Sequence, residues 1–155
     1  MSIVHHFPGG IHPHEGKGGK AVTAGLPVVA APQPSRVIIP LQQHIGAPCK
    51  ALVTKGDVVK VGQMIGEPVG GLSAAVHASV SGVVVDCQPA MTANGTQVMS
   101  VIIDNDFKDE WVELKPVANP ESLSMQQLSD LARQMGVVGL GGATFPTSVK
   151  LNTEK

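Results

Sequence analysis

The sequence predicts a mainly β fold, a small barrel or sandwich built from short strands. Between Arg36 and Asp104 the apolar residues come in short runs rich in β-branched side chains, and such runs are too short for helices. Turn signals separate the runs, among them Lys55–Asp57 and Asn94-Gly95. The 155 residues include 18 glycines and 12 prolines, which is typical of many tight turns. We therefore expect one modest β domain, over residues 37–105, with extensions on both sides.

The expected strands follow one another at short intervals. Pro40 ends the first of them, because proline cannot donate a hydrogen bond to a strand ladder. A tight turn at Ser81-Gly82 separates Val80 from the valines that follow. In chain order the predicted strands are Val37–Ile39, Ala51–Val53, Val58–Val59, Met64–Ile65, Val83–Val85 and Val98–Ile103.

The N-terminal part, residues 1–36, is predicted to be an extended segment. It is rich in proline and glycine, which favours loops over a packed unit. It also contains a histidine cluster at positions 5, 6, 12 and 14, and histidine clusters bind metal in some proteins. No carboxylate or helical spacing fixes the geometry of these rings, so we predict no metal site here.

After the strands, residues 106–135 are predicted to form a linker and one amphipathic helix. Ser124 and Gln127 have the spacing of a capping box, and Gly136 stands where a helix usually ends in the left-handed conformation. The apolar stripe of this helix consists of Leu128, Leu131, Ala132 and Met135.

A glycine-rich loop follows the helix, and residues 136–155 are predicted to open a nucleotide-binding α/β domain. Glycines without a Cβ allow a flat or phosphorylated ligand to approach the backbone closely. A helix beginning at Pro146 would direct its free amides at the loop, and Lys150 would add a positive charge. The pattern of glycines, Pro146 and Lys150 indicates capture of an anionic, phosphate-bearing cofactor.

Composition excludes several functions. With 11 Lys+Arg against 12 Asp+Glu, the chain has no excess of positive charge for nucleic acid. No apolar run approaches the roughly 20 residues of a membrane span, and the N-terminus lacks the pattern of a secretory signal. Cys49 and Cys87 are isolated in the sequence; we expect buried thiols rather than a disulfide, and they are too few for an iron–sulfur cluster.

The segment Lys55–Ile65 resembles the first hairpin of biotinyl and lipoyl carrier domains, with its Gly-Asp-x-Val-x-x-Gly-Gln pattern. Ala78–Val84 resembles the segment that follows in those carriers. The resemblance implies a barrel-sandwich hybrid. Carriers hold their cofactor on a lysine at the hairpin tip, and Glu67–Ala75 contains no lysine. We therefore expect a scaffold of carrier shape without the swinging arm, used for docking.

Over essentially its full length, the chain resembles the C subunit of the Rnf-type electron transport complex. The matching segments are Phe7–Pro13, Ile39–Gly46, the Gly56-Asp57 hairpin and Gly136–Thr147. The last segment also resembles the flavin loop of the NADH-binding subunit of respiratory complex I. Thr144 departs from the pattern, because glycine is expected at that position.

The resemblance implies a peripheral subunit on the cytoplasmic side of the bacterial inner membrane. Its complex couples electron transfer between NAD(H) and ferredoxin to ion translocation, with other subunits of the complex as partners. The resemblance also implies FMN and NAD(H) beside the glycine loop and two 4Fe–4S clusters beyond Lys155. The residues that it implies for the cofactor site are Gly139, Gly141, Gly142, Ala143, Phe145, Pro146 and Lys150. We expect this chain to be the N-terminal portion, inactive alone and without a bound cofactor.

Two alternatives remain at this point. The A subunit of the sodium-pumping NADH:quinone reductase shares the barrel, although in our interpretation it lacks the full glycine loop. A stand-alone docking module, which would not be an enzyme, is the other. In that case residues 139–150 would be a simple tail.

Overall fold

A computed structural model of the chain describes residues 20–152. The histidine cluster and the Phe7–Pro13 motif lie outside the described residues. The chain divides into two units, the first ending at Pro32 and the second beginning at Gln33. In the first unit, Lys20–Thr23 forms a short helix, α1, after which the Leu26 amide donates to the Thr23 carbonyl at 3.0 Å.

The second unit is built on antiparallel strands, and the prediction of a mainly β fold is confirmed. A four-stranded sheet has the order β1-β7-β6-β3, and a three-stranded sheet has the order β2-β4-β5. The strands of the described residues are β1 Arg36–Pro40, β2 Lys50–Ala51, β3 Val58–Val59, β4 Met64–Glu67, β5 Val76–His77, β6 Gly82–Met91 and β7 Gln97–Asn105.

The core contains β-branched residues from both sheets. Val59, Ile65 and Val84 are completely inaccessible to solvent, as are Val101 and Ile103 of β7. The last two alternate along the strand and join the same cluster, as expected for one buried face of a sheet. Each such side chain contributes about 1.5–3 kcal/mol by its burial, so these positions carry much of the stability of the unit.

The long hairpin of β6 and β7 differs from its prediction. The sequence predicted a strand only over Val83–Val85, but β6 continues to Met91, which pairs with Gln97. Local propensity misses this extension because its residues are poor strand formers, whereas pairing with the strongly apolar β7 holds them extended. Gly82 opens the strand at a close crossing, where a Cβ would lie 1.9 Å from the Asp104 carbonyl oxygen.

The predicted amphipathic helix is α2, Met125–Gln134, preceded by a 3₁₀ turn over Pro120–Ser122. The capping box is confirmed: the Gln127 amide donates to the Ser124 hydroxyl, and the Gln127 side chain accepts from the Ser124 amide. Gly136 has φ +69°, so the predicted left-handed cap is also confirmed.

The predicted apolar stripe describes the buried face of α2 only in part. Met135 is 56% exposed, whereas Ser129, outside the stripe, is 3% exposed. The Ser129 hydroxyl donates to the Ser148 carbonyl at 2.9 Å, in a second short helix, α3, Thr147–Leu151. A small polar residue is buried here because it allows the close approach of two helices and hydrogen-bonds across their contact. Apolar periodicity cannot reveal such a contact.

Candidate functional site

The hairpin tip that would carry the cofactor in a carrier domain is held against α2. The Arg133 guanidinium donates to the carbonyl oxygens of Pro68, at 3.3 Å, and Gly70. The Ala75 amide donates to the Arg133 carbonyl at 2.9 Å. A tip fixed in this way is unlike a mobile arm. This geometry and the missing lysine both disagree with a swinging-arm carrier.

The end of α2 packs tightly on the same region. A Cβ at Gly136 would lie 2.3 Å from the Ala75 carbonyl oxygen and 3.4 Å from Nδ1 of His77. Burial lowers the pKa of His77, and a backbone hydrogen bond with Gln134 opposes this shift. The imidazole is therefore favoured in its neutral form beside the helix end.

The glycine loop leaves α2 and returns on itself as a small closed loop. Val138 and Pro146 form an antiparallel bridge at its base, and the Gly139 amide donates to the Phe145 carbonyl at 2.9 Å. Inside the loop, the Thr144 amide donates to the Gly141 carbonyl at 3.1 Å. The loop therefore has a defined conformation rather than that of a simple tail.

The tip of the loop leaves its backbone open to a ligand. A Cβ at Gly141 or Gly142 would meet no atom of residues 20–152 within 4 Å, and the side chain of Leu140 is fully exposed. A flat ring or a phosphate could therefore lie directly against this stretch of backbone. The loop fits the FMN or nucleotide that the resemblance implies.

Thr144 has φ +44°, which explains why glycine is the expected residue at this position. The left-handed region is unfavourable for β-branched residues, because the branched Cβ crowds the neighbouring carbonyl. The threonine therefore introduces strain next to the open backbone of the loop. Backbone strain of this kind costs on the order of 1–3 kcal/mol.

The remaining predicted site residues divide into two groups. Lys150 Nζ lies 5.8 Å from the centre of the Phe145 ring, and a Cβ at Gly139 would lie 3.1 Å from the same amine. These three residues form one cluster, of which Lys150 is exposed. The second group is Gly141, Gly142 and Ala143, all of them exposed.

The start of α3 differs from the sequence prediction. Pro146 is buried and serves as the N-cap rather than as the first helical residue. The Thr147 amide donates to the Val137 carbonyl at 3.0 Å, so this amide is used within the protein and is not directed at the loop. α3 has only five residues, and its dipole offers little to an anion.

The glycine loop also touches the barrel, at a second segment that the sequence singled out. The Ile45 amide donates to the Ala143 carbonyl at 3.2 Å. Ile45 belongs to the Ile39–Gly46 motif, and this motif therefore meets the Gly136–Thr147 motif in space. Sequence reasoning did not predict this contact, because 98 positions separate the two residues and no periodicity connects them.

Buried His44 fixes the barrel side of this contact. The Ala74 amide donates to His44 Nε2 at 3.1 Å, so Nε2 is an acceptor and Nδ1 carries the proton. Nδ1 lies 3.1 Å from the Ile45 carbonyl oxygen. The ring thus connects two backbone segments. The resemblance singled out its motif, but nothing in the sequence showed this role.

An open groove of about 1100 Å³ lies beside the contact. One wall is the β6–β7 hairpin from Thr92 to Val98, and another is the segment from Ile38 to Ile45. The glycine loop borders it with Gly142, Ala143 and Thr144. The groove therefore joins the loop tip to the barrel.

Neither cysteine forms a disulfide. Cys49 is a buried free thiol, as predicted, whereas Cys87 is a free thiol that is only half-buried. Burial raises the pKa of each. The Cys49 thiol donates to the Ala74 carbonyl at 3.0 Å. Among residues 20–152, no group of three or more His, Cys, Asp or Glu side chains could hold a metal ion, so this part offers no ligand set for an iron–sulfur cluster.

Comparison with known families gives a clear result. The model of the RnfC barrel sandwich hybrid domain matches residues 5–108. The chain belongs to this family. The predicted barrel-sandwich hybrid and the resemblance to the C subunit of the Rnf complex are both confirmed. The match ends at residue 108, before α2 and the glycine loop.

Similar curated proteins cover nearly the whole chain, and each is named as the C subunit of its complex. The chain is 45% identical over 153 residues to that of the Na⁺-translocating ferredoxin:NAD⁺ oxidoreductase complex of Acetobacterium woodii. It is 44% identical over 150 residues to that of the proton-translocating ferredoxin:NAD⁺ oxidoreductase complex of Clostridium ljungdahlii. It is 40% identical over 153 residues to that of the ion-translocating oxidoreductase complex of Pseudomonas aeruginosa.

These alignments cover 97%, 96% and 97% of this chain but 34%, 32% and 19% of the respective relatives. The chain thus spans about a third or less of the length of these relatives. Within the described residues, no helix has the length and apolar character needed to cross a membrane.

Proposed function

We propose that this chain is the N-terminal portion of a peripheral subunit of a membrane-bound complex. The complex would couple electron transfer between NAD(H) and ferredoxin to ion translocation, at the cytoplasmic face of a bacterial inner membrane. The names of the relatives support the redox partners and the ion coupling. The barrel would dock other subunits, and residues 136–155 would open the nucleotide-binding domain.

The observation that carries the cofactor proposal is the glycine loop itself. Its base is closed by the hydrogen bond from Gly139 to Phe145, while its tip presents the open backbone of Gly141 and Gly142. Such a loop excludes side chains from the ligand surface and leaves backbone amides for hydrogen bonding. Ala143 anchors the tip to the barrel through Ile45.

In this proposal the loop holds FMN and positions NAD(H) beside it. When bound, the flavin supplies the hydride and electron chemistry. The backbone of Gly139, Gly141, Gly142 and Ala143 would orient it, and Phe145 and Pro146 would fix the shape of the loop. The Lys150 amine, now beside Gly139 and Phe145, would meet a phosphate or the polar edge of the flavin. Two 4Fe–4S clusters would lie in residues beyond Lys155.

The first test is the coding DNA beyond the Lys155 codon. An open frame that encodes a Cys-x-x-Cys-x-x-Cys-x-x-x-Cys-Pro motif downstream supports an iron–sulfur flavoprotein subunit. A stop codon directly after Lys155 would contradict it and favour a docking module.

The second test is FMN binding by the complete subunit. Lys150→Ala should weaken FMN binding about tenfold, because it removes a positive charge beside the loop. Flavin fluorescence titration of the apoprotein measures this. Lys115→Ala, at an exposed lysine in the segment before α2, is the matched control. Equal affinity of both variants would remove Lys150 from the site.

A further inference from the structure

The groove between the barrel and the glycine loop is lined by hydrogen-bonding side chains without charge. None of the described residues that line it is Asp, Glu, Lys or Arg. Two histidines also line the groove. His44 is buried and accepts a backbone amide at Nε2, and burial lowers the pKa of His77.

The polar groups of the groove are mostly amides and hydroxyls. Gln42 and Gln43 each donate from Nε2 to a backbone carbonyl, which leaves their Oε1 atoms as acceptors within the described part of the chain. Asn94, which lines the groove, uses Oδ1 to accept from Thr92 and Thr96, so its amide NH₂ remains as a donor within the described part of the chain. Gln97 has both groups available, since its side chain makes no hydrogen bond to any other residue in the range 20–152.

These walls are held in place before any ligand arrives. The hairpin tip is closed by the hydrogen bonds of Thr92, Asn94 and Thr96. The opposite wall is fixed by the buried ring of His44, and the loop is tied to that wall through Ile45 and Ala143. A preorganised groove loses little entropy when it orders a ligand.

An uncharged groove beside an open glycine backbone suits a ligand that has both an uncharged polar part and a phosphate. Phosphate is a poor occupant of the groove, because no cation there would compensate its desolvation. Sugar hydroxyls, carboxamides and the edges of a base or flavin ring match neutral amides well. The volume of about 1100 Å³ exceeds what a mononucleotide needs.

We infer that the barrel forms the second wall of the nucleotide site, where the groove binds the uncharged sugar and ring portion of a nucleotide. Gln42, Gln43, Asn94 and Gln97 supply the hydrogen bonds, and the glycine loop takes the phosphate. The inference rests on the proposed function of the loop. It extends the proposed nucleotide site to the barrel, for which only the fold is established so far.

Two nucleotides share this chemistry, FMN and NAD(H), and the experiment distinguishes them. The complete subunit is prepared with the double substitution Gln43→Ala and Gln97→Ala. Gln88→Ala is the matched control, since Gln88 is an exposed glutamine of the same hairpin outside the groove. FMN affinity is measured by fluorescence titration of the apoprotein, and NAD⁺ affinity by calorimetry, which requires no turnover.

The double variant should bind one of the two nucleotides about tenfold more weakly, as expected from the loss of two neutral hydrogen bonds. Weaker FMN binding assigns the groove to the flavin, and weaker NAD⁺ binding assigns it to the nicotinamide nucleotide. Either result supports the inference, provided that Gln88→Ala binds both ligands normally.

Unchanged affinity for both nucleotides would overturn the inference. If Lys150→Ala still weakens FMN binding in the same preparation, the loop proposal stands and only the groove is excluded. If neither the loop variant nor the groove variants change any affinity, the nucleotide site itself lies elsewhere. A variant that fails to fold is recognised by its circular dichroism spectrum, and Gln97→Glu then replaces the double substitution. The added negative charge should weaken the nucleotide bound in the groove, and unchanged binding again overturns the inference.

Discussion

Gly136→Ala tests how α2 is joined to the barrel. Gly136 has φ +69°, where any other residue costs about 1–2 kcal/mol. The new Cβ would also lie 2.3 Å from the Ala75 carbonyl oxygen, a distance that forces the helix end away from β5. That movement breaks the hydrogen bond from the Ala75 amide to the Arg133 carbonyl, which contributes about 1 kcal/mol. We therefore expect the free energy of unfolding to fall by about 2–3 kcal/mol.

A second glycine separates the steric effect from the conformational one. Gly95 has φ +81°, and a Cβ there would meet no atom within 4 Å in the described part of the chain. Gly95→Ala should therefore cost only about 1–2 kcal/mol. Urea unfolding of the chain, followed by circular dichroism, gives both values. Hydrogen exchange at the Ala75 amide should accelerate in Gly136→Ala only.

Close packing of Gly136 on Ala75 is refuted if the two variants lose the same free energy of unfolding within about 0.5 kcal/mol, or if the Ala75 amide stays equally protected from exchange in both. Either result would mean that the end of α2 is not packed on the barrel. The glycine loop would then be anchored to the barrel by the Ile45–Ala143 hydrogen bond but not by the end of α2, and the groove would not be preorganised.

The remaining predictions concern the loop and pH. Thr144→Gly should raise the free energy of unfolding in urea by roughly 0.5–1 kcal/mol, because relief of the left-handed strain exceeds the added entropy of the unfolded glycine. The control Thr144→Ala keeps a side chain at the positive φ and should gain less. An equal gain for both variants would refute the strain argument. Burial lowers the pKa of His77 below its ordinary 6.5, so the unfolded state binds this proton more tightly and stability should fall as pH drops below about 6.5. His77→Asn should reduce the slope of stability against pH in that window, and an unchanged slope would show that other groups cause it. The hydrogen bond from Arg36 lowers the pKa of Asp104, so this carboxylate should stay ionised to lower pH than a free aspartate. NMR titration of the parent, with Asp104→Asn to assign the signal, measures this pKa. An ordinary aspartate pKa would mean that the pair is open in solution.

Local patterns predicted several elements correctly because the cause of each is local. The capping box of Ser124 and Gln127 satisfies amides within one helical turn, so spacing alone reveals it. The left-handed conformation of Gly136 was predictable from its position, because a glycine directly after the last residue of an apolar helical pattern commonly ends a helix in this way. The glycine turn at Asn94-Gly95 separates two runs that pair as β6 and β7.

Other features escaped local analysis because distant residues cause them. β6 extends to Met91 because β7 pairs with it, although its own residues favour strands weakly. Ser129 is buried because Ser148 packs on it, which no periodicity of apolar residues predicts. The first amide of α3 donates to the Val137 carbonyl, a contact between separate segments, so this amide is not directed at the loop as the sequence predicted.

The sequence by itself determined the class of the fold, the family and the position of the glycine loop, because turn residues, apolar runs and motif letters are properties of neighbouring positions. Only the tertiary structure decided that the loop lies against Ile45, that His44 fixes the wall behind it and that an uncharged groove joins both to the β6–β7 hairpin. These relations bring together residues up to about a hundred positions apart. Their physical cause is the packing of two sheets and α2, which no local pattern encodes.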